Sequence, residues 1–213
     1  MKLYYIYDAL CGWCYGFSPV ITAFYEKYHT EITFEVISGG MVTVEREGPI
    51  GEVAGYIKTA YLEVEKQTGV KFGEGFLKNI LEEGTTLFTS VPPAVALSVF
   101  KKEKPAEQIA FAAALQTAIY SKGIDPSDPV AYGQLAVDFD LDPNEFVRKM
   151  EEEEYQRLAL RDFMQTQRWG VNGFPTVVIE TGEQLAIIGR GYLDFESLER
   201  NFESAKTQLA AAK

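Results

Sequence analysis

Apolar and polar positions in the N-terminal part of the chain predict a strand, a helix and a second strand. Residues 2–8 are rich in tyrosine and isoleucine, which is typical of a buried strand. Apolar side chains recur at helical spacing within residues 12–28, and residues 32–37 alternate as a strand does. A helix that joins two consecutive strands implies parallel pairing and a right-handed crossover. We therefore predict a β-α-β unit at this end of the chain.

The pattern becomes helical between residues 49 and 169. The run Asp142-Pro143-Asn144-Glu145 is a helix start signal. Its aspartate suits the capping position, and a proline at the first helical position and a glutamate at the third follow it. The aromatic residues on these helical stripes, Tyr56 and Tyr61 among them, are predicted to be core. We predict helices at 50–67, 73–83, 93–103, 105–121, 129–138 and 143–169, the last with a bend or break around the acidic run 151–154.

The strand pattern returns near the C-terminus. Residues 176–180 and 184–188 flank a short turn with the spacing of a hairpin, and a closing helix is predicted from Asp194 to Leu209. The last three residues are expected to fray. The sequence thus predicts an α/β fold in which an all-helical insertion, residues 41–161, separates the two parts of a sheet domain, residues 1–40 and 162–213.

Composition and charge narrow the classes of function. A chain of 213 residues can bury a sizeable core, and no apolar stretch approaches membrane-spanning length. A formal net charge of −11 supplies no basic face for phosphates, so nucleic acid is not an expected partner. Residues 3–7 form a short apolar run, and no small-residue cleavage site follows it. We therefore expect a cytoplasmic protein without membrane contact.

The cysteines carry the leading chemical signal. Cys11 and Cys14 are the only two in the chain, and they stand between the first strand and the predicted helix. A thiol at a helix start lies against unsatisfied N–H groups and the positive end of the helix dipole, which favour the thiolate. Cys11 is therefore the expected nucleophile, and Cys14, one turn further along, the expected resolving thiol.

A zinc site is the main alternative for two cysteines at this spacing. Tetrahedral zinc needs four ligands, and the single histidine, His29, lies near the far end of the same helix. In a reducing cytoplasm a lone cysteine pair is more often catalytic than structural. We therefore expect disulfide exchange and no bound metal.

Two sequence motifs resemble the DsbA-like branch of the thioredoxin superfamily, in particular its cytoplasmic members described as predicted protein-disulfide isomerases. The motifs are residues 7–19, around the cysteines, and residues 170–176, Gly-Val-Asn-Gly-Phe-Pro-Thr. The resemblance implies a thioredoxin-like fold with a large all-helical insertion. It also implies that Pro175 follows a cis bond and packs beside the cysteines, while Phe174 offers its backbone to an extended substrate. Trp13 either faces substrate or packs on the insertion.

The resemblance further implies a thiol–disulfide oxidoreductase or isomerase that acts on protein or peptide disulfides and thiols. No tightly bound cofactor is expected, and glutathione or another dithiol protein is the expected reductant. Gly12 and Trp13 carry no charge, so we expect a reduction potential of roughly −270 to −180 mV rather than one near −120 mV. The alternatives are a non-redox protein-binding adaptor and a glutathione-dependent small-molecule isomerase. The glycines at 39 and 40 fit either a permissive turn or the latter.

Asp8 has two possible roles at the end of the first strand. It can hold a turn through its side chain, or it can influence the protonation of the nearby thiols. The turn role is the one that we favour.

Overall fold

The computed structural model describes residues 1–211 and contains a four-stranded mixed sheet and a two-stranded one. The strands are β1 (Lys2–Tyr7), β2 (Thr33–Ser38), β3 (Gly48–Pro49), β4 (Leu87–Phe88), β5 (Thr176–Thr181) and β6 (Gln184–Arg190). The main sheet has the order β2-β1-β5-β6. β1 and β2 are parallel, whereas β5 is antiparallel to both β1 and β6. The β-α-β unit and the hairpin are thereby confirmed. Of the three residues predicted to fray, Ala211 is the last residue of the closing helix, and residues 212–213 lie outside the described residues.

Helices make up most of the remaining structure. They are α1 (Gly12–Tyr28), α2 (Ala54–Thr68), α3 (Val91–Glu103), α4 (Gln108–Thr117), α5 (Pro129–Ala136), α6 (Pro143–Met150), α7 (Glu153–Arg168) and α8 (Phe195–Ala211). Two segments are π-helical, Gly75–Glu82 and Ala118–Lys122. The predicted break within 143–169 is confirmed, since α6 and α7 are separate helices. The single helix predicted for 105–121 is wrong, because the chain there passes from a short 3-10 turn through α4 into a π segment.

Local signals explain where several helices begin. The Asp142 carboxylate accepts a hydrogen bond from the Glu145 N–H at 2.8 Å and so caps α6, with Pro143 at its first position. Asp128 caps α5 by accepting from the Val130 N–H at 2.9 Å. α1 continues through Pro19 to its end at Tyr28, as its apolar spacing predicted.

β1 is buried on both faces because it lies in the middle of the sheet. Leu3, Tyr5 and Tyr7 face the large core that includes the buried side of α1. Tyr4 and Ile6 point to the opposite face and join a smaller cluster. The strand therefore places alternate tyrosines directly beneath the helix that carries the cysteines.

The large core continues from the sheet into the helical insertion. Its members include Phe17 on α1, Ile179 on β5 and Phe111 on α4. The proposed boundary at residues 161 and 162 lies inside α7, where Asp162 accepts from the Ser38 N–H at 3.2 Å. The domain division stays a prediction.

One aromatic residue that was predicted to lie in the core is exposed. Tyr56 on α2 is 71% exposed, so its prediction as a core residue is wrong, whereas Tyr61 is partly buried against the core. The α2 stripe borders an open cavity, described below, instead of a packed neighbour. Separately, within residues 1–211 no helix has both the length and the apolar composition needed to cross a membrane.

Candidate active site

Cys11 occupies the N-cap of α1, at the end of the loop that leaves β1. Its backbone is extended, with φ −92° and ψ 110°, and its carbonyl accepts the N–H of Tyr15 at 3.1 Å. Its side chain makes no capping hydrogen bond, and the first turn of α1 contains no acidic residue. The positive end of the helix is therefore not neutralised by an acidic side chain of its own first turn.

The two thiols are free and differ in burial. Cys11 is 6% exposed, whereas Cys14 is completely buried on the inner face of α1. Burial raises the pKa of the Cys14 thiol well above its ordinary value, and the neighbouring Cys11 raises it further. Cys11 is thus the more exposed of the two thiols, while its role as the nucleophile and that of Cys14 as the resolving thiol stay predictions.

The loop before β5 meets the cysteine pair from the other side. The Phe174–Pro175 peptide bond is cis, and the Cys11 thiol donates to the Phe174 carbonyl at 3.5 Å. Gly39 lies under this loop, where a Cβ atom would overlap the Phe174 ring. Gly40 has φ +70°, which confirms the permissive turn after β2. The motifs at residues 7–19 and 170–176 are therefore brought together.

Asp8 holds the cysteine loop against two other segments. It is 2% exposed, and its carboxylate accepts the Leu10 N–H at 2.9 Å, the Ser90 hydroxyl at 2.9 Å and the Met41 N–H at 2.7 Å. Burial raises the pKa of Asp8, and these hydrogen bonds oppose that rise. The predicted turn role is confirmed, and it extends to the segment after β2 and to the start of α3.

Trp13 lies between two openings that both reach Cys11. On one side is a cavity of about 260 Å³, here called the apolar cavity, lined by Val53, Tyr56, Ile57, Tyr61 and Phe72 among others. On the other is a cleft of about 650 Å³, here called the polar cleft, lined by Thr43, Arg46, Gln167 and Asn172 among others. Trp13 is partly buried against the large core, which spans the sheet and the insertion, and both of its predicted roles stay predictions.

Some contacts near the cysteines were not predicted from the sequence. Ser90 reaches the site through Asp8, and the buried Gln116 carboxamide lies against the backbone of the cysteine motif. The prolines after Ser90 mark a helix start but do not show its bond to Asp8, and Gln116 carries no local signal. Tyr5 and Tyr120 also lie near the thiols, and only Tyr5 could have been found, since the alternation of β1 places it beneath α1.

A dithiol at a helix start, opposed by a cis-proline loop on a β-α-β and hairpin sheet, defines the thioredoxin-like class of protein. The sequence matches the model of the DSBA-like thioredoxin domain over residues 3–202. The chain therefore belongs to the DSBA-like thioredoxin family, and its helical insertion fits that fold. No curated protein sequence matches it.

Solved structures agree with the family. A Nitrosomonas europaea protein proposed to be a protein disulfide isomerase is 28% identical, with a TM-score of 0.87 over 97% of this chain and 98% of its own. The cytosolic disulfide reductase DsbM from Pseudomonas aeruginosa is 26% identical, with a TM-score of 0.79 over 99% of this chain and 100% of its own. A second DsbM structure, solved with GSH, is 25% identical, with a TM-score of 0.77 over 99% and 100% of the two chains.

Proposed function

We propose that this protein is a cytoplasmic thiol–disulfide oxidoreductase that reduces or rearranges disulfides in protein or peptide substrates. The observation that carries the proposal is the unequal pair of free thiols, with Cys11 at the helix start and open to two cavities and Cys14 buried behind it. The similarity to a cytosolic disulfide reductase supports both the reaction and the compartment.

The reaction has two exchange steps. The Cys11 thiolate attacks one sulfur of the substrate disulfide, forms a mixed disulfide and releases the other substrate sulfur as a thiolate. Cys14 then loses its proton and attacks the Cys11 sulfur, so that the bond to substrate breaks and the Cys11–Cys14 disulfide forms. The substrate gains two electrons and the protein loses two. In rearrangement the second step is a substrate thiol's attack instead, and the protein remains reduced.

Substrate binding is assigned to the groups around Cys11. The carbonyl of Phe174 points toward the Cys11 sulfur. Pro175 has no N–H group, so its backbone does not compete with a substrate for this sulfur. An extended substrate segment is therefore proposed to pair with the backbone at Phe174 by strand addition. Trp13 would supply an aromatic surface between the apolar cavity and the polar cleft.

Glutathione is the proposed electron source and is not a bound cofactor. It carries two carboxylates and an amino group, for which the polar cleft that reaches Cys11 offers Arg46 and Glu45 among its lining residues. The structure of DsbM with GSH supports this choice of reductant. One glutathione thiolate would attack the Cys11–Cys14 disulfide and form a mixed disulfide with one cysteine while the other is released as a thiolate. A second glutathione would attack the glutathione sulfur of that bond, so that oxidised glutathione leaves and both cysteines are thiols again.

A redox titration tests the proposal. The purified protein is equilibrated with mixtures of reduced and oxidised glutathione, and its free thiols are counted. We expect a reversible Cys11–Cys14 disulfide with a potential between roughly −270 and −180 mV, because Gly12 and Trp13 add no cation that would stabilise the thiolate. A potential near about −120 mV, or no internal disulfide at any ratio, would contradict the proposal.

Turnover of a peptide disulfide with glutathione separates the alternatives. An oxidoreductase loses reductase turnover when Cys14 is replaced. A glutathione-dependent small-molecule isomerase would bind glutathione tightly and keep its activity without Cys14. A non-redox adaptor would show no turnover and would keep its biological activity when both cysteines are replaced by serine.

A further inference from the structure

The hydroxyl of Tyr5 is buried and lacks a partner. Tyr5 lies in the central strand β1 and is 1% exposed, and its hydroxyl forms no hydrogen bond with any residue in the range 1–211. Leaving a polar group unpaired in a protein interior costs free energy, so such a group calls for an explanation. Phenylalanine would fill the same space at β1 without that cost. The hydroxyl therefore points to a role outside the resting state.

Tyr5 faces the buried side of α1, where Cys14 lies. Its ring packs against Phe17 with 5.9 Å between centroids, and Phe17 is three residues after Cys14 on the same face of the helix. Burial raises the pKa of the Tyr5 phenol well above its ordinary value, and the Cys14 sulfur raises it further. The phenol therefore keeps its proton near neutral pH, so Tyr5 is a hydrogen-bond donor next to this sulfur.

Cys14 depends on hydrogen-bond donors to ionise. It must become a thiolate to attack, yet burial raises its pKa, and a hydrogen bond from the Asp8 backbone opposes this rise only in part. The titratable groups that the described residues place around it are Cys11 at the start of α1, Tyr5 and Tyr7 on β1, Asp8 in the loop and Tyr120 after α4. None of these is a cation. Stabilisation of a Cys14 thiolate thus depends on hydrogen bonds.

We propose that Tyr5 is a further catalytic residue that donates a hydrogen bond to the Cys14 sulfur while this sulfur attacks the mixed disulfide at Cys11. The inference rests on the proposed function, in which Cys14 releases the substrate. During the step Cys14 loses its proton to solvent, the Cys11–Cys14 bond forms, and the bond between Cys11 and substrate breaks. The electron pair leaves with the substrate sulfur, which takes up a proton, while Tyr5 keeps its own.

A chromogenic aryl disulfide separates the two exchange steps in one experiment. Attack by Cys11 releases one coloured thiolate, and attack by Cys14 on the resulting mixed disulfide releases a second. A hydrogen bond to a charged sulfur is strong enough for Tyr5→Phe to slow the second release about tenfold at neutral pH. The midpoint of its pH–rate profile should rise by about one unit, and the first release should not change.

Tyr132→Phe is the matched control. Tyr132 is another buried tyrosine, but its hydroxyl donates to the Pro126 carbonyl at 2.7 Å, far along the chain from the cysteines. This variant should lose stability and keep both release rates. Tyr5→Phe should keep or raise its urea midpoint, because it loses no hydrogen bond and removes an unpaired buried hydroxyl.

Three other outcomes of these measurements would each overturn one of the two proposals. An unchanged second release and pH midpoint in Tyr5→Phe would overturn the inference and leave the proposed function standing. A Tyr5→Phe variant that unfolds would also overturn it, since the hydroxyl would then serve the fold. Absence of a second release in the unmodified protein would instead overturn the proposed function.

Discussion

Cys11→Ser is expected to lower turnover of a peptide disulfide about a thousandfold or more, to the level of the reagents alone. A serine hydroxyl does not ionise near neutral pH, and Cys14 is buried behind position 11 where a substrate disulfide does not reach it. The measurement is the rate of substrate reduction with glutathione in excess. The fold should not change, because the Cys11 side chain makes no capping hydrogen bond in α1.

Cys14→Ser is the matched variant, and it should lose turnover at a different step of the reaction. Attack by Cys11 still occurs, but no internal thiol releases the product, so a mixed disulfide accumulates and is visible by mass. Turnover by Cys11→Ser at the rate of the unmodified protein would contradict the assignment. Failure of Cys14→Ser to retain substrate would contradict the role of Cys14 as the resolving thiol.

Asp8→Ala is expected to reduce the free energy of unfolding by about 3 kcal/mol. The substitution removes the buried carboxylate and so leaves three hydrogen-bond donors without an acceptor. These are the N–H groups of Leu10 and Met41 and the hydroxyl of Ser90. The loop that carries Cys11 is tied to the rest of the site through these bonds. Urea denaturation measures the loss, and a change below about 1 kcal/mol would show that the contacts do not hold the loop.

The stability contributed by Asp8 should also depend on pH with a definite sign. Burial raises the pKa of Asp8 in the folded state, so the folded protein holds this proton to a higher pH than the unfolded chain does. Stability attributable to the carboxyl is then present at acid pH and declines as pH rises above the ordinary range of aspartate. The destabilisation by Asp8→Ala should accordingly be larger in acid than at neutral pH.

Asp128→Ala serves as the control for this position. Asp128 caps α5 at the surface through one hydrogen bond to the Val130 N–H, so its replacement should cost about 1 kcal/mol. Because Asp128 is remote in sequence from the cysteine loop and bonds to neither Ser90 nor Met41, the control should leave turnover unchanged.

Local signals in the sequence were sufficient for the elements that carry the thiols. The alternation of residues 2–8, the helical spacing after Cys11 and the hairpin near residue 182 each depend on neighbours in sequence. The placement of Cys11 at the start of α1 and of Cys14 one turn inside follows from these alone. The cis bond before Pro175 was implied by the family resemblance, since residue spacing cannot show it.

Contacts between distant segments could not be predicted in the same way. Ser90 and Gln116 reach the cysteine loop from the helical insertion, and nothing next to them in sequence indicates it. The spacing of apolar residues did not predict the two π-helical segments, for a similar reason. They pack against each other where a Cβ atom at Gly73 or Gly75 would overlap the backbone of residues 121–122, so tertiary packing sets their geometry.

The error at Tyr56 has a physical cause as well. A helical stripe of apolar residues predicts a buried face, but it does not distinguish a packed neighbour from an open cavity. The face of α2 that carries Tyr56 borders the apolar cavity beside Cys11. An exposed aromatic at this place is consistent with a surface that contacts substrate.

Limited alkylation of the reduced protein compares the reactivity of the two thiols. The protein is treated briefly with a small amount of an alkylating reagent at neutral pH, and the labelled cysteine is identified by peptide mapping. We expect Cys11 to be labelled at least about tenfold faster than Cys14, because it alone combines the helix start with an opening to solvent. Equal labelling of the two cysteines, or faster labelling of Cys14, would contradict this expectation.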